Sequence, residues 1–399
     1  MKHCSKSLSA AVIACAMLLG CTACGGQSSE GTSSFSAASV TPNMAQTSSE
    51  PVSQSDTGTS QKADETLSSG DETQDSTQSP QESSEASKEP KPGELPELPD
   101  DDGTDVGFMS EGILIYNRTA YEMFYGYDDL AKNYANAISN VANALGDKVK
   151  VYNVVVPTHC GVTLPERIMN EYNLPDQKEY INTIYSSYTA KVTGVNVFDA
   201  LALHRNEYLY FNSDHHWTAL AAYYAYEEFC KAAGVEAISL SKMEEGTIEG
   251  YYGSLTAYID ESLVNADTVH YYSMDVDTST VKYDSNAQNE ESTSLLHTYA
   301  SGPYAYGVFL GGDSPLIVCK NKDGNGKKIA VVKESYGNAI SPFIAYTYSE
   351  THLIDFRDID FDFLQYIRDN GIDEVVFVNN TMASATTMRC DELNALVGG

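Results

Sequence analysis

Two short runs in this 399-residue chain carry the residue types that nucleophilic catalysis needs. The first is Ser213-Asp214-His215-His216-Trp217-Thr218, and the second is Lys333-Glu334-Ser335-Tyr336-Gly337-Asn338. A serine hydroxyl is a weak nucleophile until a base takes its proton. An imidazole suits that task near neutral pH, and a carboxylate fixes its tautomer and supports the imidazolium. Asp214 and His216 stand two residues apart, which in extended chain puts both side chains on one side. Ser335 follows an apolar run and precedes a helical one, so its hydroxyl can project from a sharp turn whose N–H groups suit an oxyanion. Plainer roles exist for the same residues. Ser213 or Asp214 can cap a helix, His215 can be a bystander, and Ser335 can be an ordinary turn residue.

The surrounding pattern supplies elements to position them. Apolar, β-branched runs predict strands at 112–116, 149–156, 194–198, 329–332, 352–355 and 374–378. Helical spacing predicts helices at 128–145, 177–188, 217–233, 342–348 and 361–370. In the third of these, Trp217, Leu220, Ala221, Tyr224 and Glu228 share a stripe, and Gly234 closes it. Residues 240–310 break the rhythm; they are rich in Tyr, Ser, Thr and Gly and read as an insertion of short strands and loops. Strands alternating with helices predict an α/β fold, a three-layer sandwich around a mostly parallel sheet. Ligands in such folds bind beyond the carboxyl ends of the strands, just after Val156, Phe198, Val332, Asp355 and Val378. Asn379 and Asn380 end one of these strands and either face a site or cap a loop.

Four blocks resemble the DHHW protein family. Tyr210-Phe211-Asn212-Ser213-Asp214-His215-His216-Trp217-Thr218 resembles the signature for which the family is named. Val331-Val332-Lys333-Glu334-Ser335-Tyr336-Gly337-Asn338 with Pro342-Phe343-Ile344 resembles its KDSYxN…PF block, with Glu334 where the family usually has Asp. His352-Leu353-Ile354-Asp355-Phe356-Arg357 and Val154-Val155-Val156-Pro157-Thr158 resemble two further blocks. The resemblance implies an SGNH-hydrolase-like fold related to the alginate O-acetylation proteins AlgJ and AlgX. It implies a triad with Ser335 as nucleophile, His216 as base and Asp214 as the acid that orients it. It also implies oxyanion or substrate contacts at Tyr336, Gly337, Asn338 and Trp217, with no cofactor and no metal. The activity implied is that of a serine acyl esterase or O-acetyltransferase on an envelope or extracellular glycan.

Two other classes compete. One is a carbohydrate-binding module with an inactive triad, stacking sugars on Tyr251, Tyr252, Tyr258, Tyr271, Tyr272, Tyr299, Tyr304 and Tyr306, residues that ordinary packing also explains. Ester turnover separates it from the enzyme. The other is a metal-dependent phosphoesterase, suggested by Asp214-His215-His216 alone; no Asp-x-Asp on a βα turn precedes it to complete a two-metal site.

The N-terminus sets the expected location. Lys2, His3 and Lys6 precede an apolar run from Leu8 to Leu19, too short for a membrane span, and Leu18-Leu19-Gly20-Cys21 resembles a lipobox. Residues 1–20 are therefore expected to be a lipoprotein leader, with lipid on Cys21 anchoring an extracytoplasmic protein to the bacterial membrane. Residues 21–105 are acidic and rich in Ser, Thr and Pro, the composition of a disordered tether, and 106–399 form the folded domain. The net charge of −32 excludes nucleic acid as a natural partner. Cys160, Cys230, Cys319 and Cys390 lie far apart in sequence, so no CxxC motif exists, and both disulfides and buried thiols are open.

Overall fold

The computed structural model describes residues 95, 96, 98, 101 and 103–398. The expected leader, Cys21 and the tether through residue 94 lie outside the described residues. Side-chain hydrogen bonds tie the chain ahead of Val106 to the domain: Arg167 Nε donates to Asp101 at 3.0 Å, Tyr116 Oη donates to Asp101 at 3.3 Å, and Arg205 Nε donates to the Pro96 carbonyl at 2.7 Å. Among the described residues, no helix is long and apolar enough to cross a membrane.

Strands β1 (Phe108–Ser110), β2 (Ile113–Tyr116) and β3 (Thr119–Tyr121) pair antiparallel in a small sheet. Then come β4 (Lys150–Val156) and β5 (Val192–Val195). β6 (Glu244–Tyr251) and β7 (Asp267–Ser273) form a separate antiparallel ribbon. β8 (Thr278–Tyr283), β9 (Glu290–Thr293) and β10 (Leu316–Asn321) follow. β11 (Lys328–Lys333), β12 (Glu350–Asp355) and β13 (Glu374–Asn380) complete the main sheet. Its eight strands run in the order β5-β4-β13-β11-β12-β10-β8-β9. Neighbours from β5 to β12 are parallel, and those from β12 to β9 are antiparallel. The sheet expected to be mostly parallel is therefore mixed. Its antiparallel strands come from segment 278–321, which holds no crossover helix of the kind a parallel connection needs.

The buried strands separate two cores. Ile329 and Val331 of β11 join one with Trp217, Phe229 and Phe343, while Ala330 and Val332 join the other with Tyr134, Ile138 and Leu393. This is the two-residue alternation of a sheet covered on both faces, which is why its central strands β4, β13 and β11 read as mostly apolar runs. Helix Asp128–Leu145 covers one face with Ala131, Tyr134, Ile138 and Val141, as its spacing predicts. Helix Ala219–Ala233 covers the other.

Three helix starts differ from expectation; the helix placed at 361 begins at Phe363, and the other two flank the site. The helix placed at 217 begins at Ala219, with Thr218 as its cap and Gly234 ending it at φ +65°, a left-handed conformation that favours glycine. Trp217 instead bridges to Tyr210 in extended chain. The helix placed at 342 begins at Gly337, directly after the Ser335 turn, and carries Pro342 inside it. Proline's preference for the first helical position misplaces that start. Ser341 Oγ donates to the Gly337 carbonyl at 2.6 Å and holds the turn ahead of the proline. Cys160, Cys230, Cys319 and Cys390 are all buried free thiols.

His159, just past β4, carries an acid-sensitive weakness. Its ring stacks on Tyr210 at 4.9 Å and leans on Tyr121 at 4.4 Å. The residue as a whole is half-buried, but Nδ1 has no solvent and no hydrogen-bond partner. Burial pushes its pKa down to about 3. The unfolded chain binds the proton near pH ~6.5, so the folded state is favoured fully above that value and loses this contribution as pH falls towards 3. His352, pushed down to about 4 by burial, acts in the same direction. His159→Phe keeps the stack and removes the titration. Thermal melts from pH 7 to 4 are expected to show a shallower loss of Tm in this variant; an unchanged slope removes His159 from the account.

Candidate active site

The Asp-His run lies on the loop between the Tyr210–Trp217 bridge partners, and Ser335 follows β11 by two residues. These segments are 119 residues apart in the chain, yet His216 Nε2 lies 2.8 Å from Ser335 Oγ. On its other side, His216 Nδ1 lies 2.6 Å from Asp214 Oδ1. Asp214 and His216 are buried, and Ser335 keeps part of its surface open. One imidazole thus bridges a hydroxyl and a carboxylate.

Asp214 is held from several directions. Its Oδ1 also accepts the His216 N–H at 2.8 Å, and its Oδ2 accepts Tyr251 Oη and the Ser254 N–H, each at 2.7 Å. Burial pushes the Asp214 pKa up, but the His216 and His215 charges and these hydrogen bonds together outweigh it and hold the carboxyl well below its usual range. Gly253 is required here, since a Cβ on it would stand 2.3 Å from the Asp214 Cβ. The loop itself is tied down by Asp267 on β7. That buried carboxylate accepts from Tyr208 Oη at 2.5 Å, the Asn212 N–H at 2.7 Å, the Ser213 N–H at 2.9 Å and Ser213 Oγ at 2.5 Å.

The Ser335 turn is braced with equal density. Glu334 is buried, and its carboxylate accepts the Tyr336 N–H and the Asn380 N–H, each at 3.0 Å, with Ser335 Oγ 3.3 Å away. The serine has one proton, and His216 is its nearer acceptor. Tyr306 stacks on His216 with centroids 3.9 Å apart and planes 12° from parallel, while its hydroxyl donates to the Ser335 carbonyl at 3.0 Å.

These positions identify the family. A family model described as "DHHW protein" matches residues 69–354. The chain belongs to the DHHW family. A crystal structure of a DHHW family protein from Eubacterium siraeum is 30% identical, covers 72% of this chain and 97% of its own, and superposes with a TM-score of 0.66. Bacillus cereus PatB1, solved with a sulfonyl adduct, is 20% identical over 69% of this chain and 97% of its own, with a TM-score of 0.57, and shares the fold. The O-acetyltransferase domain of Pseudomonas putida AlgJ matches more distantly, at 12% identity over 71% of this chain and 99% of its own, with a TM-score of 0.39. No curated protein matches the sequence.

In this DHHW structure, four residues expected to meet an oxyanion or substrate stand behind the site. Trp217 is fully buried and donates Nε1–H to the Tyr336 carbonyl at 2.9 Å. Tyr336 is buried, and its hydroxyl donates to the His215 carbonyl. The first turn of the following helix engages the backbone donors. The Gly337 N–H goes to the Glu334 carbonyl at 2.9 Å and the Asn338 N–H to the Ser335 carbonyl at 3.1 Å. The Asn338 side chain donates to Asp313 at 2.9 Å. Gly337 also serves packing, because a Cβ there would stand 2.4 Å from that of Lys333. These residues brace the turn.

His215 is the more exposed histidine. Its Nδ1 is 2.6 Å from Ser254 Oγ, not aimed at Ser335. Asp214, His215 and His216 place ligand atoms within 4.8 Å of one another, as a cation site needs, but the 2.6 Å Asp214–His216 bond already occupies facing atoms. Asn380 both caps a short helix, accepting the Ala383 N–H at 2.8 Å, and holds Glu334; Asn379 donates to buried Tyr134 at 2.8 Å. Tyr251, Ser254, Asp267 and Tyr306 carry no motif in the sequence, and only the folded chain brings them to the triad. Glu122, past β3, is a further neighbour: burial, then repulsion from Asp214 against attraction to His215, leaves its pKa raised.

Proposed function

We propose that this protein is a serine acyl esterase or O-acetyltransferase acting on an envelope or extracellular glycan. The observation that carries it is the His216 imidazole set 2.8 Å from Ser335 Oγ and 2.6 Å from Asp214. Ser335 Oγ attacks the acyl carbonyl as His216 Nε2 takes its proton, and Asp214 supports the imidazolium. The carbonyl becomes a tetrahedral oxyanion. It collapses to acyl-Ser335 as His216 returns the proton to the departing alcohol oxygen. Water or a sugar hydroxyl then gives its proton to His216 and attacks the acyl group, and as the acyl–Oγ bond breaks His216 returns that proton to Ser335 Oγ.

The proposal extends to the rest of the chain. Residues 1–20 act as leader, Cys21 carries lipid, 21–105 tether the domain at the extracytoplasmic face, and 106–399 form the catalytic unit. The domain is a three-layer sandwich to which the Tyr-rich segment 240–310 is added.

A sulfonyl fluoride tests the chemistry without knowledge of the substrate. Phenylmethylsulfonyl fluoride is expected to add one sulfonyl group per chain, mapped to Ser335 by peptide mass spectrometry. His216→Ala should slow the addition by at least about a hundredfold, the usual worth of a positioned base. Labelling elsewhere, or equal labelling of both proteins, rejects the assignment.

A further inference from the structure

We propose that Tyr299 and Tyr304 form a stacking subsite for a neutral glycan strand at the rim of the Ser335 site. This rests on the acyl-transfer reading for the identity of the neighbouring site, and it adds where the chain bearing the ester lies.

The folded chain sorts the tyrosines of segment 240–310 into different tasks. Tyr251 is buried on Asp214, and Tyr306 is buried on His216. Tyr299 and Tyr304 are 81% and 80% exposed, the two most open large rings among the described residues. They share one loop, whose ends are pinned together: the His297 N–H donates to the Val308 carbonyl at 2.7 Å, and the Leu310 N–H to the Leu295 carbonyl at 2.9 Å. The same loop carries Tyr306 inward onto His216 and the Ser335 carbonyl. Two open rings and one triad contact therefore belong to a single closed unit, and Tyr304 is two residues from the stacked ring. The Tyr299 hydroxyl is 2.7 Å from His297 Nδ1, so that ring is already oriented. A ring held before binding loses less freedom on binding.

The chemistry of the loop selects the ligand. No Asp, Glu, Lys or Arg occurs from residue 292 to residue 312, in a chain where such residues make up 20%. Exposed on the loop beside the rings are the hydroxyls of Thr298 and Ser301. A phenol presents an apolar face and a polar tip, which matches the C–H face and hydroxyl edge of a pyranose. Without a cation in the loop, a polyanionic glycan finds no ion-pair partner there, and the net charge of −32 repels it. A neutral sugar chain is the partner that remains.

Calorimetry with Ser335→Ala measures binding apart from turnover, so an inert triad does not affect the readout. The neutral probes are cellohexaose and xylohexaose, and the charged control is hexagalacturonate. Ser335→Ala is expected to bind at least one neutral probe and not the control. Adding Tyr299→Ala and Tyr304→Ala should weaken that binding by about tenfold or more, while Tyr299→Phe with Tyr304→Phe keeps most of it. Thermal melts confirm that each variant folds. Equal affinity with and without the two rings, no binding of either neutral probe, or preference for hexagalacturonate overturns the proposal. Failure of sulfonyl labelling at Ser335 with binding intact overturns the catalytic reading alone.

Discussion

Ser335→Ala is expected to bring acetyl-ester hydrolysis down to background, and Asp214→Asn to lower kcat by about ten-thousandfold. The serine effect follows from chemistry, since alanine has no oxygen to acylate. The asparagine effect follows from geometry. Asp214 Oδ1 receives both the backbone N–H and Nδ1 of His216, at 2.8 and 2.6 Å, while Oδ2 is satisfied by Tyr251 and Ser254. An amide fits the same space but has only one oxygen, so either it breaks the pair on Oδ2 or it turns an N–H₂ towards Nδ1. The latter selects the tautomer with its proton on Nε2, which cannot accept from Ser335. His215→Ala should cost far less than His216→Ala, because the His215 ring is bonded to Ser254 and not to Ser335. Turnover of p-nitrophenyl acetate by the four variants decides the matter. Asp214→Asn close to wild type, or His215→Ala as damaging as His216→Ala, contradicts the assigned roles. Glu334→Asp adds a control on the nucleophile turn. The shorter carboxylate must still reach the Tyr336 and Asn380 N–H groups that Glu334 now holds at 3.0 Å.

Asp355→Leu is expected to destabilise the domain by about 3–5 kcal/mol, the usual cost of stranding one member of a buried ion pair. Lys333 and Asp355 are register partners on the parallel strands β11 and β12, and both are buried. Lys333 Nζ lies 3.6 Å from Asp355 and 3.6 Å from Asp313, and it makes no closer hydrogen bond. Asp355 also accepts from Arg357 Nε at 2.7 Å. Loss of Asp355 therefore removes one of the two carboxylates that face the buried ammonium, two residues ahead of Ser335, and leaves the half-exposed Asp313 at the same 3.6 Å. Lys333→Met combined with Asp355→Leu should recover part of the loss, because it removes the buried ammonium together with its carboxylate, while Arg357 keeps Asp313 at 2.6 Å. Urea unfolding of the single and double variants provides the check. A single-variant loss under about 1 kcal/mol, the range of exposed pairs, means the interior is wetter than the structure implies.

The lysine explains why some of this molecule is legible in sequence and some is not. β11 reads as a strand because Ile329, Ala330, Val331 and Val332 are buried on both faces, and burial on both faces writes itself as an unbroken apolar run. Helix Asp128–Leu145 is legible because one stripe is buried and the rest is wet. Asp214, His216 and Ser335 are legible as types, since few residues can act as base, orienting acid and nucleophile, and the DHHW motif confines them to two runs. The ion pair under the nucleophile is not legible, because Lys333 looks like any strand-ending lysine until β12 is laid beside it.

Local sequence thus determined the elements whose burial is periodic, the apolar character of the central strands and the residue types proposed for the triad. The tertiary structure alone decided three other things. It extended a parallel sheet with antiparallel strands, because register across a sheet depends on which chain segments arrive as neighbours. It turned Trp217, Tyr336, Gly337 and Asn338 into support behind the site, because their donors are spent within the turn and its bracing. It brought Tyr251, Ser254, Asp267 and Tyr306 from a segment without helical or catalytic signals to hold the acid, the loop and the base. Hydrogen bonds to a buried carboxylate are made by whichever donors the fold delivers, and a tyrosine destined for Asp214 has the same local sequence signature as one left open to solvent.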